Sequence, residues 1–583
     1  MKRAGADQMA TIDADSARPT PPQIRAVVPP RRRGRMGGHR GGAWPLGAGL
    51  LALLVAVPVL MVLAAGLNPD VDVWSHLAAT VLPRYLANTL WLSVGVGAGT
   101  LVIGVGTAWL VTMCSFPGRR LFEWALLLPM AVPAYVIAYT YAGLLDYAGP
   151  VQEVLRWLIG ATSRRDYWFP QVRSLGGAIV VMTLVLYPYV YLLARAAFLE
   201  QSVCVIEIGR TLGNGPWACF RRIALPLARP AIVTGVTLAL MEVLADFGTV
   251  DYFAIDTFTT GIYRTWFGLG ERAAAAQLAA VLLSVVLALI LIERVSRGHA
   301  RFDQTSRRYR PLPGYPLRGW RGAGALVACG LPIGLGFLLP ASALGLWALT
   351  SSLSSGDGFP RLVLTSLSLA ASAAILAVAA ALVVAYARRL APGRLSAVSA
   401  RIAALGYAVP GAVIAVGIVV PLAFIDGMII DGVQALGFGN PGLVLTGTIA
   451  GLLYAYMVRF LAVSLNTVEA SLGKVTASMD DAARVFGLGP GATLVRVHAP
   501  LVSGGLLTAG LLVFVDVLKE LPATLILRPF NLTTLAMRTY ELAGDERLAD
   551  AAAPALAIVA AGILPVILLS RAIARSRPGA QTR

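Results

Sequence analysis

Residues 207–226 read EIGRTLGNGPWACFRRIALP, and residues 481–500 read DAARVFGLGPGATLVRVHAP. The two stretches align without a gap at a constant offset of 274 residues. Most of the identical positions hold Gly, Pro or Arg, so the match is not the similarity of two hydrophobic runs. The identical pairs are Arg210/Arg484, Gly213/Gly487, Gly215/Gly489, Pro216/Pro490, Ala218/Ala492, Arg222/Arg496 and Pro226/Pro500. The chain therefore contains an internal duplication, which has to be recognised before any motif is interpreted.

The duplication extends over nearly the whole chain. Matching positions outside the quoted stretches include Glu242/Asp516, Asp246/Glu520, and the Ala-Val-Pro sequences at 131–133 and 408–410. Six apolar stretches separate equivalent points of the two copies, so the copies have the same orientation. We expect two halves related by an axis along the membrane normal, not by inversion.

The composition indicates a membrane protein. Charged residues make up 13% of the chain and mean hydropathy is +0.73, whereas soluble proteins contain about 25% charged residues. Twelve apolar stretches each approach the roughly 20 residues that a helix needs to cross the hydrocarbon core. They lie at about 46–67, 87–113, 121–145, 175–199, 228–250, 273–292, 323–349, 361–386, 397–424, 441–465, 501–526 and 551–570. The predicted fold class is an all-α membrane protein with about twelve transmembrane helices, for which the lipid bilayer is the solvent.

The charge distribution predicts the orientation. The net charge of +18 comes from Arg residues spread over short loops, a pattern typical of cytosolic loops and not of a nucleic-acid surface. Both termini and both repeated loops are then cytosolic. Asp426 and Asp431 fall on the predicted outer side. One outer loop, with Arg164, Arg165 and Arg173, is basic and argues against this assignment.

The predicted organisation has five parts. They are a disordered basic cytosolic tail (1–43), a first six-span half (44–295), a basic cytosolic linker (296–321), a second six-span half (322–573) and a cytosolic tail (574–583). Pro- and Arg-rich composition supports the disorder of the first part.

Glycines and prolines shape the two repeated loops. Gly213 and Gly215 are predicted to allow a sharp turn with positive φ, and Pro216 suits the first turn of a helix. Pro226 is predicted to stop that helix before the chain re-enters the membrane. The second copy has the same residue types at 487, 489, 490 and 500.

With these residues in view, each loop resembles the EAA motif of binding-protein-dependent ABC importer permeases: EAA, three residues, Gly, nine residues, I-x-L-P. The second copy departs from it by Asp481 for Glu and Ala499 for Leu. The resemblance implies two parallel six-helix repeats of the type I ABC importer permease fold. It also implies that the loops are coupling helices that contact an ATPase. The implied coupling residues are Glu207, Gly213, Gly215, Pro226, Asp481, Gly487, Gly489 and Pro500.

Nothing in the sequence binds nucleotide by itself. No G-x-x-x-x-G-K-[ST] sequence occurs, so the chain has no P-loop for ATP phosphates. The resemblance thus implies a permease subunit that is not an enzyme and binds no cofactor. ATP and Mg would belong to a separate cytosolic ATPase, with two copies for two loops.

Two further segments bear on the substrate. Residues 245–250 with 259–266, and residues 519–525 with 533–538, resemble the fused permeases of bacterial ferric iron importers. That resemblance implies a bacterial inner-membrane protein that receives ferric iron from a periplasmic binding protein. Phosphonate, thiamine, sulfate and polyamine remain alternative substrates.

Four matched carboxylates form the candidate translocation pathway: Glu242, Asp246, Asp516 and Glu520. A carboxylate at membrane depth is costly enough to indicate function, and oxygen ligands suit a hard cation. The alternatives are structural pairing with Lys519 and solvation of helix ends. The sequence does not identify metal ligands.

Two readings from other classes remain open at this stage. An ion-coupled secondary transporter would have charged relays within its spans and no purpose for the repeated loops. A membrane scaffold or sensor would use the basic tail for interaction.

Overall fold

The computed structural model describes residues 43–67, 71–201, 211–213, 215–297, 314–351 and 358–575. Ten of the described helices are long and apolar enough to cross a membrane, and two bent helix pairs raise the number to as many as twelve. The predicted all-α membrane fold is confirmed. The tail 1–42, residues 298–313 of the predicted linker and the coupling residue Glu207 lie outside the described residues.

The first half contains twelve helices in the described range. They are α1 (Ala43–Leu67), α2 (Val71–Thr80), α3 (Leu82–Met113), α4 (Arg119–Ala125), α5 (Ala134–Leu145), α6 (Pro150–Ile159), α7 (Leu175–Glu200), α8 (Pro216–Cys219), α9 (Leu225–Ala245), α10 (Gly248–Tyr252), α11 (Phe258–Tyr263) and α12 (Arg272–Arg297). Two short parallel strands, β1 (Cys114–Ser115) and β2 (Tyr315–Pro316), join the end of α3 to the start of the second half.

The second half repeats this order. Its described helices are α13 (Trp320–Ile333), α14 (Leu339–Ala348), α15 (Gly358–Leu390), α16 (Arg394–Ala403), α17 (Gly411–Ala435), α18 (Ile449–Leu472), α19 (Ala477–Val485), α20 (Pro490–Thr493), α21 (Ala499–Leu501), α22 (Ser503–Leu518), α23 (Pro522–Leu527), α24 (Leu535–Gly544) and α25 (Leu548–Arg575).

The third and ninth spans begin later than predicted. Each is preceded by a separate short helix, α4 or α16, and the long helix starts just after the repeated Ala-Val-Pro. The residue before each proline is extended, with ψ of 125° at Val132 and 126° at Val409. A proline disfavours helical geometry at the residue before it, so the apolar runs 121–145 and 397–424 are each interrupted.

Asp426 was predicted to lie just beyond the end of the ninth span, and this part of the prediction is wrong. The residue lies within α17 and is fully buried. Its carboxylate accepts hydrogen bonds from the backbone N–H groups of Val444, Leu445 and Thr446 at 2.8–3.1 Å. It therefore stabilises the turn that leads into α18, because buried backbone donors need partners.

The first span of each half packs on the other half. Helix α1 lies against α15, α16 and α17, while α13 and α14 lie against α3, α4 and α5, and the π-helical turn between them lies against α7. Gly417 of α17 permits the approach of α1, since a Cβ there would be 2.3 Å from the Pro58 carbonyl oxygen. This exchange joins the halves into one unit with a shared core.

Prolines in these exchanged spans free backbone carbonyl groups, which accept hydrogen bonds from tyrosines of the other half. Pro58 has no N–H, so the carbonyl of Leu54 one turn earlier is left without a helical donor. The Tyr454 hydroxyl donates to it at 2.6 Å. In the other half, the Tyr141 hydroxyl donates at 2.7 Å to Leu335, which lies in a π-helical turn before Pro340. Backbone groups freed in a membrane have to be satisfied within the protein.

Candidate functional site

A cavity of about 100 Å³ lies between the two halves, where the fifth and eleventh spans break. The breaks separate α9 from α10 and α22 from α23. All four predicted pathway carboxylates lie on its wall, so the structure brings the whole predicted set together. The polar groups on this wall are Tyr135, Tyr189, Glu242, Asp246, Tyr407, Arg459, Asp516, Lys519 and Glu520.

One carboxylate of each half caps the short helix after its break. Asp246 accepts hydrogen bonds from the backbone N–H of Thr249 at 3.0 Å and of Val250 at 3.2 Å. Glu520, its equivalent, accepts from the backbone N–H of Ala523 at 3.1 Å. The first N–H groups of a helix lack helical partners, which explains acidic residues at these two positions.

The ion pairs, by contrast, belong to the second half. Arg459 Nε lies 3.1 Å from a Glu520 oxygen, and Lys519 Nζ lies 2.9 Å from a carboxylate oxygen of Asp516. The first half has Leu192 and Ala245 at the positions equivalent to these two cations. The carboxylates are thus symmetric in sequence, whereas their neutralisation is not.

Glu242 is paired differently. Its Oε1 accepts a hydrogen bond from the Tyr407 hydroxyl at 3.0 Å, and no ion pair to it occurs in the part of the chain that the structure describes. With all groups ionised, the four carboxylates and two cations of the described wall carry a net charge of −2. This excess lies on the first half and favours a cation in the cavity.

Sequence reasoning missed Arg459, Tyr407 and Tyr135 as members of the site. Arg459 lies within the tenth span and is 8% exposed, and a charged residue inside a span was the signal that could have identified it. Tyr407 and Tyr135 have no such signal, because tyrosines are common in membrane helices. No group of three or more His, Cys, Asp or Glu residues in the described ranges has metal-site geometry.

The repeated loops agree with the predicted turn at one glycine of each pair. Gly213 has a φ of 79° and Gly487 a φ of 75°, which favours glycine in both copies. The prediction for Gly215 was wrong, because it has an extended conformation with φ of −67°, as does Gly489 with −70°. These two glycines instead precede the prolines that begin α8 and α20.

Pro226 does not stop its helix. The chain runs from α8 through a π-helical turn, Phe220–Ala224, directly into α9. The Leu225 N–H bonds the Phe220 carbonyl five residues back, and this wider turn relieves the clash that a proline normally causes. The second loop has the equivalent π turn, Leu494–His498, but bends by 81° after α21.

Apolar side chains are exposed at the tips of both loops. Val485 ends α19 and is 85% exposed, Phe486 follows it and is 83% exposed, and Leu212 in the first loop is 75% exposed. Beside them Asp481 and Arg484 form an exposed ion pair at 3.1 Å. Clustered exposed apolar residues at a charged turn are typical of a protein interaction surface.

A polar clamp fixes the second loop to the spans above it. Arg389, at the end of α15, donates to Asp480 at 2.8 Å and to the carbonyls of Leu472 and Val475 at 2.9 Å. The same carboxylate lies 2.7 Å from Nε2 of His498, which is fully buried. The clamp therefore joins both arms of the second loop to α15 and α18.

The clamp is predicted to hold α19 in place. Asp480→Ala removes the carboxylate that pairs with Arg389 and lies against His498, so we expect faster amide hydrogen exchange over residues 477–485 in the purified protein. Glu469→Gln is the matched control, because it breaks the more exposed Arg388 pair nearby and should leave that exchange unchanged. Equal exchange in Asp480→Ala and the unmodified protein would contradict the clamp.

Comparison with known proteins relates the chain to transport permeases. Residues 100–298 match the family described as binding-protein-dependent transport system inner membrane component. The chain is 26% identical to the Fe(3+)-transport system permease protein FbpB 2 of Haemophilus influenzae, over 90% of this chain and 97% of that protein.

Relatives with other substrates in their names match parts of the chain. It is 29% identical to the molybdenum transport system permease protein ModB of Escherichia coli, over 34% of this chain and 89% of that protein. It is 30% identical to the sulfate transport system permease protein CysW of Escherichia coli, over 36% of this chain and 70% of that protein.

Proposed function

Since the chain belongs to the family of binding-protein-dependent transport system inner membrane components, and is thus the membrane permease of an ABC importer, we propose that it imports ferric iron. A periplasmic binding protein delivers the ion, and alternating access, driven by ATP hydrolysis in a separate subunit, moves it inward. The chain itself carries out no catalysis in this scheme.

The net negative cavity is the observation that carries the iron assignment. Its excess charge favours a cation, while both of its described cations are already matched by carboxylates at about 3 Å. Although Arg459 Nη1 has no hydrogen-bond partner among the described residues, an oxyanion such as sulfate or molybdate bound there would face the excess negative charge of the wall. The similarity to an Fe(3+) permease over 90% of the chain agrees with this choice.

We propose that the repeated loops are the coupling elements. Asp481 and the exposed Val485 and Phe486 would enter a cleft of the ATPase, with Gly487 forming the turn. Glu207 and Gly213 would do the same for a second ATPase copy. In this scheme Gly215, Gly489, Pro226 and Pro500 shape the helices around those contacts.

Orientation follows from the same proposal. The coupling loops must face the cytosol to meet an ATPase, which places both termini there as well. Part of the basic outer loop is then accounted for, because Arg173 pairs with Asp146 at 3.1 Å and contacts Glu546 of the other half at 3.7 Å. Those contacts give Arg173 a structural role on the outer side.

Uptake in a strain that lacks this permease tests the proposal. Expression of the full chain with its ATPase and binding protein should restore accumulation of radioactive ferric iron, and excess sulfate or molybdate should not reduce it. A strain that carries the ATPase without this chain is the control. Restored sulfate or molybdate uptake, without iron uptake, would overturn the iron assignment and leave the permease class intact.

A further inference from the structure

The four carboxylates of the central cavity differ in what already occupies them. Asp516 and Glu520 each face a cation, at 2.9 and 3.1 Å. Asp246 holds the backbone N–H groups that begin α10. Among the described residues, Glu242 neither pairs with a cation nor caps a helix, and it accepts a hydrogen bond from Tyr407. Glu242 is therefore the carboxylate that remains available to an incoming cation.

Phenols surround this carboxylate. Tyr407 donates to Glu242 at 3.0 Å, and Tyr189 lies against Tyr407 and faces the same carboxylate. Tyr135 also lines the cavity, on the same wall as Asp246 and Glu520. A carboxylate and three phenols thus offer oxygen atoms to one small volume.

The Tyr135 hydroxyl is the independent sign of a ligand. The residue is 6% exposed, and its oxygen has no hydrogen-bond partner among the described residues. Leaving a buried hydroxyl unpaired is costly. Gly248 allows the position, because a Cβ there would lie 2.8 Å from the Tyr135 Cβ. Gly248 thus leaves room for the Tyr135 side chain, whose hydroxyl stays unpaired among the described residues.

We propose that Glu242, Tyr135, Tyr189 and Tyr407 form a transient oxygen-donor site for ferric iron, an inference that rests on the ferric importer function proposed above. Hard cations prefer oxygen ligands, and phenolate and carboxylate oxygens are both hard donors. Each phenol that binds the ion loses its proton to water, one proton for each Fe–O bond so formed. The iron stays ferric and no electron is transferred.

The asymmetry of the wall suits a transient site. The second half supplies carboxylates that are already neutralised, so they do not add further strong ligands. A site built mainly from one half binds the ion through few groups and can release it when the halves move. A cage of four free carboxylates would bind a trivalent ion too tightly for transport.

A spectroscopic titration tests the site directly. Ferric iron, supplied as its nitrilotriacetate chelate, is added to the purified full-length permease with its ATPase. Phenolate bound to ferric iron absorbs visible light by charge transfer, so a visible band should appear. Tyr135→Phe, Tyr189→Phe and Tyr407→Phe should each weaken the band, and Glu242→Gln should weaken iron binding. Loss of a partner just outside the metal ligands typically costs roughly 10- to 100-fold, and we expect loss of a direct ligand to reduce iron uptake by at least that factor.

A matched control separates the site from tyrosines elsewhere. Tyr454 donates to the Leu54 carbonyl and is not part of the cavity wall, so Tyr454→Phe should leave the band unchanged. The Tyr→Phe changes keep the ring packing, and Glu242→Gln keeps an acceptor for Tyr407. Copurification with the ATPase, measured in parallel, reports on whether each variant assembles.

The outcomes distinguish this site from the function it rests on. Iron uptake without a visible band, or a band that survives the three cavity Tyr→Phe changes, would overturn the site and leave the ferric function intact. Absence of both uptake and band would overturn the ferric function together with the site. A band reduced by the cavity changes but not by Tyr454→Phe supports both.

Discussion

Replacing Glu242 and Asp516 together by Ala is expected to abolish ferric uptake. The double change removes the available carboxylate of Glu242. It also removes the Asp516 carboxylate that lies 2.9 Å from Lys519 Nζ, so Lys519 becomes an unmatched cation in the cavity. The net charge of the described wall rises from −2 to zero, and Lys519 stays on that wall without its partner. Like charges repel strongly where water is scarce, so the ion should not enter. Uptake of radioactive iron measures the loss.

The control for this prediction keeps the charge of the cavity. Asp516→Ala combined with Lys519→Met removes a matched pair, so the net charge stays at −2 and Glu242 remains. Iron uptake should persist in this variant, and both double variants should copurify with the ATPase, because neither touches the repeated loops. Full uptake by the Glu242/Asp516 variant would remove these carboxylates from the pathway.

The second large effect is expected on stability when Glu520 is replaced by Ala. The Arg459 guanidinium then loses the partner that lies 3.1 Å from its Nε, in a pair whose side chains are 10% and 4% exposed. Removing one member of a buried ion pair costs about 3–5 kcal/mol. Thermal unfolding of the detergent-solubilised permease should therefore occur at a clearly lower temperature.

Two further variants assign the cause of that loss. Glu520→Gln keeps an oxygen for the Ala523 N–H and removes only the charge, so it isolates the ion pair from the helix cap. Replacing both Arg459 and Glu520 by Met should recover much of the stability, since apolar pairs often substitute for buried ion pairs. An unchanged unfolding temperature for Glu520→Ala would show that Arg459 finds another partner.

Much of the site could be predicted from the repeat, because the features concerned depend on residues that are close together in the chain. Gly213 and Gly487 require positive φ whatever surrounds them, and Asp246 and Glu520 cap helices that begin a few residues later. Such features depend on neighbours in the chain, so matching positions in two copies exposed them. The late start of the third and ninth spans was equally local, because a proline acts on the residue before it.

Two partners of the carboxylates were not local. Arg459 comes from α18 and Tyr407 from the segment before α17, and both reach the cavity only after the spans have packed. The sequence does place Lys519 three residues after Asp516, but nothing around Glu242 indicates the phenol that it faces. Tyr135 was missed for the same reason, since its unpaired hydroxyl is a property of its surroundings.

The sequence by itself determined that the chain is a membrane protein, that it is a tandem duplication, and that its two repeated loops resemble coupling elements. Apolar length, spacing and residue type are properties of the chain, so they survive without coordinates. Only the tertiary structure decided that the first span of each half packs on the other, and that Glu242 alone among the four carboxylates stays available within the described residues. Electrostatic pairing depends on the distance between side chains from separate spans, and that distance is set by packing.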